Sequence, residues 1–192
     1  LGYPHGCVEQ TSSSTLPLRA ARTILPRIGF TGTTDAQLTT RIRAGLDRLA
    51  TMRTAGGGLA YWPGGDEPNV YGTAYAMRAV VLARAAGVAA PSGLLEGMRS
   101  YLADEMLSST TKPEVAAAIA QSLAEMGELP PSAADALHDR RADQSVFGKA
   151  SLAIALATLE GQEDRVAALL DEVEAALDEK GQLREEPRSD DF

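Results

Sequence analysis

Apolar residues recur at three- and four-residue spacing from Leu38 through Ile42 and Leu46 to Leu49, which predicts a helix with one buried stripe. The loop before it, Thr31-Gly32-Thr33-Thr34-Asp35, ends in an N-cap residue type. Further along, three alanine-rich stretches are each halted by a glycine: 70–86 before Gly87, 113–126 before Gly127 and 145–160 before Gly161. A more polar stretch follows each of them, at 92–107, 132–140 and 162–177. Glycine past the last turn, with Pro91, Pro130 and Pro131 before the next start, is the stop-and-start punctuation of helices.

The alternation itself carries architectural information. A helix with small residues on most faces can pack on several sides and suits an inner layer, whereas a charged stripe suits an outer one. The pattern implies an all-α fold, an α/α toroid of helical hairpins, with about eight helices and hence about four hairpins. Val70-Tyr71-Gly72-Thr73-Ala74 is echoed by Val146-Phe147-Gly148-Lys149-Ala150, which supports a repeat. Between the second and third helices, Gly56-Gly57-Gly58-Leu59-Ala60-Tyr61-Trp62-Pro63-Gly64-Gly65 breaks the helical pattern and reads as an ordered loop or short hairpin. Its tryptophan, the only one in the chain, is expected to plug one end of the helical array.

Composition narrows the functional classes. At 192 residues the chain suits one domain, burying about 70% of its unfolded surface. Only 5% of residues are aromatic, which favours close-packed helices over a β-sandwich. The net charge of −8, with no basic cluster, argues against nucleic acid and against direct membrane contact. No apolar run approaches the ~20 residues of a bilayer span. The chain begins without methionine or a signal peptide, so the expectation is a piece (1–192) of a longer protein. Its polar tail, 185–192, leaves the eighth helix as an edge and the toroid incomplete.

The chemistry concentrates at the start. Cys7 is the only cysteine, and Gln10 follows three positions later. On a helical turn such side chains share a face, with Cβ atoms roughly 5–6 Å apart. Attack of the thiol on the carboxamide, with loss of ammonia, would close a thioester ring. Sulfur donates poorly into a carbonyl, so that ring would be a stored acylating agent. Gly6 leaves room for the backbone to pack closely, and the N–H groups of the helix that follows are candidate oxyanion donors. Weighed against this, a lone cysteine is ordinarily a small buried hydrophobe. Glu9, two positions from Cys7, should point away from the thiol and act as a first-turn charge. No set of His, Cys and carboxylates has metal-ligand spacing, and no cofactor is expected.

The stretch Gly6-Cys7-Val8-Glu9-Gln10, preceded by Tyr3-Pro4 and followed by Thr11-Ser12-Ser13, resembles the thioester motif of the alpha-2-macroglobulin and complement superfamily. Its valine variant is similar to the bacterial alpha-2-macroglobulins, as is the segment from the glycine loop through Asn69 to Thr73-Ala74-Tyr75-Ala76. The resemblance supports a first helix from about Gln10 to Leu25, ended near Pro26, against the turn preference of its hydroxyl run. It also implies a toroid of about six hairpins.

The resemblance implies a single-turnover covalent trap, a protease inhibitor rather than an enzyme. Bait cleavage elsewhere in a parent protein would expose the thioester, and a lysine amine of the attacking protease would take the Gln10 acyl group. Target proteases and the parent's other domains would be the partners. The parent would be periplasmic or extracellular, anchored in the inner membrane as a lipoprotein. Tyr3, Pro4, Tyr61 and Trp62 are candidates for an apolar shield against hydrolysis. Some family members pass the acyl group through a histidine. Here His5 lies inside the motif and His138 beside Asp139 and Arg140 reads as a solvated surface residue, so direct amine attack is expected. Two other classes compete: an α/α-toroid glycan-active enzyme, with Asp66-Glu67 as its best carboxylates, and a non-covalent helical-repeat binding module in which Cys7 is inert.

Overall fold

A computed structural model describes residues 6–184, which form eight α-helices. They are α1 (Val8–Arg27), α2 (Asp35–Ala50), α3 (Val70–Ala85), α4 (Leu94–Met106), α5 (Pro113–Ala124), α6 (Pro131–Asp139), α7 (Val146–Leu156) and α8 (Glu163–Ala175), with a 3₁₀ turn at Arg141–Asp143. Among the described residues there is no strand, only three isolated bridges.

The local signals act as expected. Leu38, Ile42, Leu46 and Leu49 are all buried along α2. Its cap is Thr34: Gln37 N–H donates to the threonine hydroxyl at 3.2 Å, and Thr34 N–H donates to the Gln37 side chain at 2.8 Å. Gly87, Gly127 and Gly161 stand at φ +78°, +73° and +73°, the left-handed conformation that releases a helix cheaply only at glycine. Boundaries differ in places. α1 starts two residues earlier than expected and continues through Pro26, whereas α7 stops at Leu156 rather than near Glu160.

Two layers result. The odd helices pack in series, α1 on α3, α3 on α5 and α5 on α7, while each even helix covers the odd helix before it. Neighbouring odd helices α1, α3 and α5 run parallel: Ser13 meets Tyr75 and Arg22 meets Ala86 between α1 and α3, and Ser122 meets Ala74 and Glu125 meets Arg78 between α3 and α5. α1 and α2 form an antiparallel hairpin, clamped by the two-pronged Arg22–Asp35 pair. This is the packing of an α/α toroid, drawn here as an arc. Among the described residues no substantial packing joins α7 or α8 back to α1 or α2. α8 is an edge whose one buried residue is Leu169, and Ile154, Leu170 and Leu183 are exposed beside it.

Small residues set the spacing. α5 buries Ala116, Ala117, Ile119, Ala120, Ser122, Leu123 and Ala124, so it contacts neighbours on nearly every side. The repeated aromatic-glycine pair explains itself. Asn69 and Ser145 cap α3 and α7 by accepting from Gly72 and Gly148 N–H, at 2.6 and 3.2 Å. Each glycine then faces the first turn of the preceding odd helix, Gly72 against Val8 and Gly148 against Glu114. Tyr71 and Phe147, the aromatics just before them, are left exposed.

The glycine loop is ordered as expected. Ala60 N–H donates to Met52 O at 2.8 Å, Thr54 N–H to Gly58 O at 2.9 Å and Asn69 N–H to Leu59 O at 2.7 Å. Gly57, at φ +91°, packs against α4, where a Cβ would come within 2.5 Å of Gly97 O. Thr73 of α3 pins the loop by accepting from Leu59 N–H at 2.8 Å. The buried residues are therefore Leu59 and Ala60. Trp62 is 54% exposed and does not plug the array, because Leu59 and Ala60 take the core and the chain then turns away at Trp62, whose carbonyl accepts from Gly65 N–H at 3.2 Å.

Candidate functional site

α1 begins immediately after Cys7, which serves as its N-cap in extended conformation and is only 3% exposed. A helix start leaves N–H groups without intrahelical partners. Two are met by unusual means. Val8 N–H donates to the main-chain oxygen of Tyr61, at 3.0 Å, so the glycine loop is tied to the helix start. Cys7 N–H donates to Gln10 Oε1 at 3.2 Å, and the Cys7 side chain faces the Gln10 N–H in a reciprocal capping box.

That bond brings the Gln10 carboxamide back over the cysteine. It passes directly across Gly6, where a Cβ would lie 2.8 Å from Gln10 Cβ and 3.0 Å from Oε1. Gly6 O in turn accepts from Arg48 Nη2 of α2 at 3.3 Å. Sulfur attack on the carboxamide carbon would place negative charge on Oε1, where the Cys7 N–H already donates. An N–H that could serve such an oxyanion is therefore the cysteine's own, beside those of the helix that follows.

The hydroxyl run after the motif forms helix because its oxygens bond back to the helix itself. Ser12 donates to Val8 O at 2.8 Å, and Thr15 to Thr11 O at 2.7 Å. Ser12 and Thr15 are buried, and Gly45 of α2 gives Thr15 the space it occupies.

Tyr61 closes the site from the loop. Its hydroxyl donates to Glu9 Oε2 at 3.4 Å and lies near the Cys7 side chain. The Cys7 side chain first, then the charge of Glu9, push the phenol up to about 12, so it stays protonated through the neutral range. Glu9 also faces Tyr71, whose phenol is raised chiefly by burial and secondarily by that carboxylate. Tyr71 stacks on Tyr75 at 6.2 Å and meets Phe147 edge-on at 6.5 Å, so aromatic rings continue from α3 to α7.

The structure thus brings Gly6, Cys7, Val8, Glu9, Gln10 and Tyr61 together, with Trp62 edge-on to Tyr61 at 5.9 Å. Tyr3, Pro4 and His5 lie outside the described residues. His138 departs from its expected surface role: it is half-buried in α6, its Nε2 is buried without a partner, and burial lowers its pKa. It sits in the outer layer, on a helix without substantial packing against α1. Asp66 and Glu67 are exposed on the loop. Among the described residues, no group of three or more His, Cys, Asp or Glu is placed to hold a metal. Sequence reasoning missed Arg48, whose role depends on hairpin geometry and leaves no local signal. It also did not foresee that Tyr61, expected as apolar cover, donates its hydroxyl to Glu9 and accepts from Val8 N–H.

No family model matches the chain. Among curated proteins it is similar to alpha-2-macroglobulin of Xylella fastidiosa, 32% identical over 107 residues, and of Escherichia coli, 31% over 112 residues. Those stretches cover 55% and 56% of this chain but only 6% and 7% of the relatives. Among solved structures, native E. coli alpha-2-macroglobulin from domain MG7 to its C-terminus superposes with a TM-score of 0.77 at 26% identity, over 94% of this chain and 31% of that one. Trypsin-activated E. coli alpha-2-macroglobulin gives 0.74 at 27%, over 88% and 13%. Salmonella alpha-2-macroglobulin reacted with methylamine gives 0.77 at 25%, over 94% and 13%.

Proposed function

The chain is a homologue of a segment of the bacterial alpha-2-macroglobulins, and on that premise we propose that it is a thioester domain in which Cys7 and Gln10 are joined. The observation that carries the reading is the folded-back Gln10 carboxamide, held over a buried cysteine by the Cys7 N–H at 3.2 Å. Proximity of this kind turns ring closure into a unimolecular step. In this reading the domain serves a larger protease-trapping parent in the periplasm or outside the cell, tethered to the inner membrane as a lipoprotein. Bait cleavage elsewhere uncovers the bond, a lysine amine of the protease attacks Gln10 Cδ, and the Cys7 thiol is released. The protease becomes amide-linked to Gln10 once per molecule. The trypsin-activated and methylamine-reacted relatives support amine-directed protease capture.

Intact mass of the freshly purified chain, before and after methylamine and with thiol titration alongside, tests the proposal. A mass short by one ammonia, followed by methylamine addition with release of one thiol, is the expected result. Full mass with a free thiol, in a parent protein made under native conditions, would overturn it.

A further inference from the structure

We propose that Arg48 is a positioning residue for the Cys7–Gln10 bond, holding and polarising the Gly6–Cys7 peptide so that its N–H faces Gln10 Oε1. The inference rests on the thioester reading above and deepens it.

One peptide group makes two contacts. Its carbonyl, Gly6 O, accepts from Arg48 Nη2 at 3.3 Å, and its N–H, on Cys7, donates to Gln10 Oε1 at 3.2 Å. A trans peptide is planar with its C=O and N–H pointing opposite ways, so a carbonyl held from α2 aims the N–H at the carboxamide. Hydrogen bonds in such a chain also strengthen one another. A cation on the oxygen draws electrons from the nitrogen and makes its N–H a better donor.

Arg48 reaches that carbonyl from a rigid place. It stands in the last turn of α2, between the buried Leu46 and Leu49, and its own carbonyl accepts from the Thr51 hydroxyl at 2.6 Å. The guanidinium is half-buried, and its Nε is enclosed without a partner. Among the described residues Gly6 O is the one acceptor its side chain meets, and no carboxylate pairs with it. Enclosing a guanidinium without an ion pair is costly. The contact that offsets the cost is the one behind the Cys7 N–H.

The chemistry needs that N–H. When an amine attacks Gln10 Cδ, the C–N bond forms and the carbonyl electrons move onto Oε1. As they return, the Cδ–S bond breaks with its pair on sulfur, which takes the proton shed by the amine and leaves as the Cys7 thiol. Charge therefore gathers on the oxygen that the Cys7 N–H faces. Arg48 touches none of the reacting atoms and acts through the peptide between them.

Two measurements on the whole chain decide the matter. The first is the rate of thiol release by methylamine in wild type and Arg48→Met, counted per ammonia-depleted molecule, with circular dichroism to check folding. Arg48→Met keeps the stem but neither donor nor charge, and is expected to slow release about 10-fold. The second is the amide proton of residue 7, read by NMR in a Cys7→Ala background, where Gln10 stays a carboxamide. Adding Arg48→Met is expected to move that proton upfield, while the Val8 amide, bonded to Tyr61 O, moves far less. Release at the wild-type rate overturns the inference, as does an unmoved residue 7 amide. A shift of the same size at Val8 overturns it too, because the helix start has then merely loosened. If Arg48→Met does not fold, Arg48→Gln, too short to reach Gly6 O, replaces it in both measurements; if it folds without acquiring the bond, the amide decides by itself. Wild type that never loses ammonia, within a parent protein made under native conditions, overturns the thioester reading and this inference with it.

Discussion

Gly72 of α3 lies so close to Val8 of α1 that a Cβ on it would collide with the valine Cγ1. The valine is fully buried and cannot step aside. Gly72→Ala gains about 1 kcal/mol of helix propensity, but overpacking of this kind costs about 1–3 kcal/mol. Net destabilisation is expected in urea unfolding. Gly148→Ala, whose Cβ would stand 3.0 Å from Glu114 Cα, should lose less. The reverse order would mean that α1 and α3 are not held at this spacing.

Gly6→Ala separates the site from the fold. Its Cβ would meet Gln10 Cβ at 2.8 Å and Oε1 at 3.0 Å. Gln10 is an exposed side chain, so it can swing away at little cost to stability. The melting temperature should change little, while the ammonia-depleted fraction in intact mass spectra falls sharply. Full ammonia loss in Gly6→Ala would show that the carboxamide does not need this path.

Among the groups whose folded-state pKa is lowered, His138 and Glu172 should make stability fall with acid in separate windows. Burial lowers His138 from its ordinary 6.5, so the unfolded chain binds its proton first. That contribution is complete above about pH 6.5 and declines as pH falls toward the folded-state value; His138→Gln should remove the slope. Glu172 is lowered from 4.5, mainly by its hydrogen bond from Lys149 and then by Arg141. Its contribution is present above 4.5 and is lost as pH falls through the lower folded value. The carboxylate is partly solvated, which keeps the effect modest. Urea midpoints from pH 8 to 3 would display both windows.

The edge helix should be the weakest. Leu169→Ala removes the only buried side chain of α8 and should cost about 2–5 kcal/mol, whereas Leu170→Ala, at a position 52% exposed, should cost under about 0.5 kcal/mol. Hydrogen exchange is the sharper check. Amides of α8 should exchange well before those of α3 and α5 in wild type. Equal protection would mean that α8 is held by more than one leucine and its ion pairs.

Seven of the eight helices were legible in the sequence because their signals are local, whereas α1 was expected from the resemblance, against the turn preference of its hydroxyl run. The α2 stripe, the three terminating glycines and the alternation of alanine-rich with charged segments each act within a few turns. The spacing of Cys7 and Gln10 was legible for the same reason. What escaped depends on how hairpins meet. Whether Leu59 or Trp62 enters the core is decided by Gly57 settling on Gly97, forty residues away. Arg48 reaches Gly6 only once α1 and α2 fold against each other. His138 looks solvated beside Asp139 and Arg140 until its nitrogen is enclosed by packing that its neighbours in sequence do not announce.

The arc has a further consequence. Each odd helix leans mainly on the one before and the one after it, so the described residues are mechanically a linear series, α1 to α3 to α5 to α7, with no substantial packing among them across the ends. Disturbance entering at α8 must be handed through four successive interfaces before it can reach Cys7, and it weakens wherever one interface yields. Force applied at α1 has no such distance to travel. Whatever pulls on the first helix pulls directly on the reactive end.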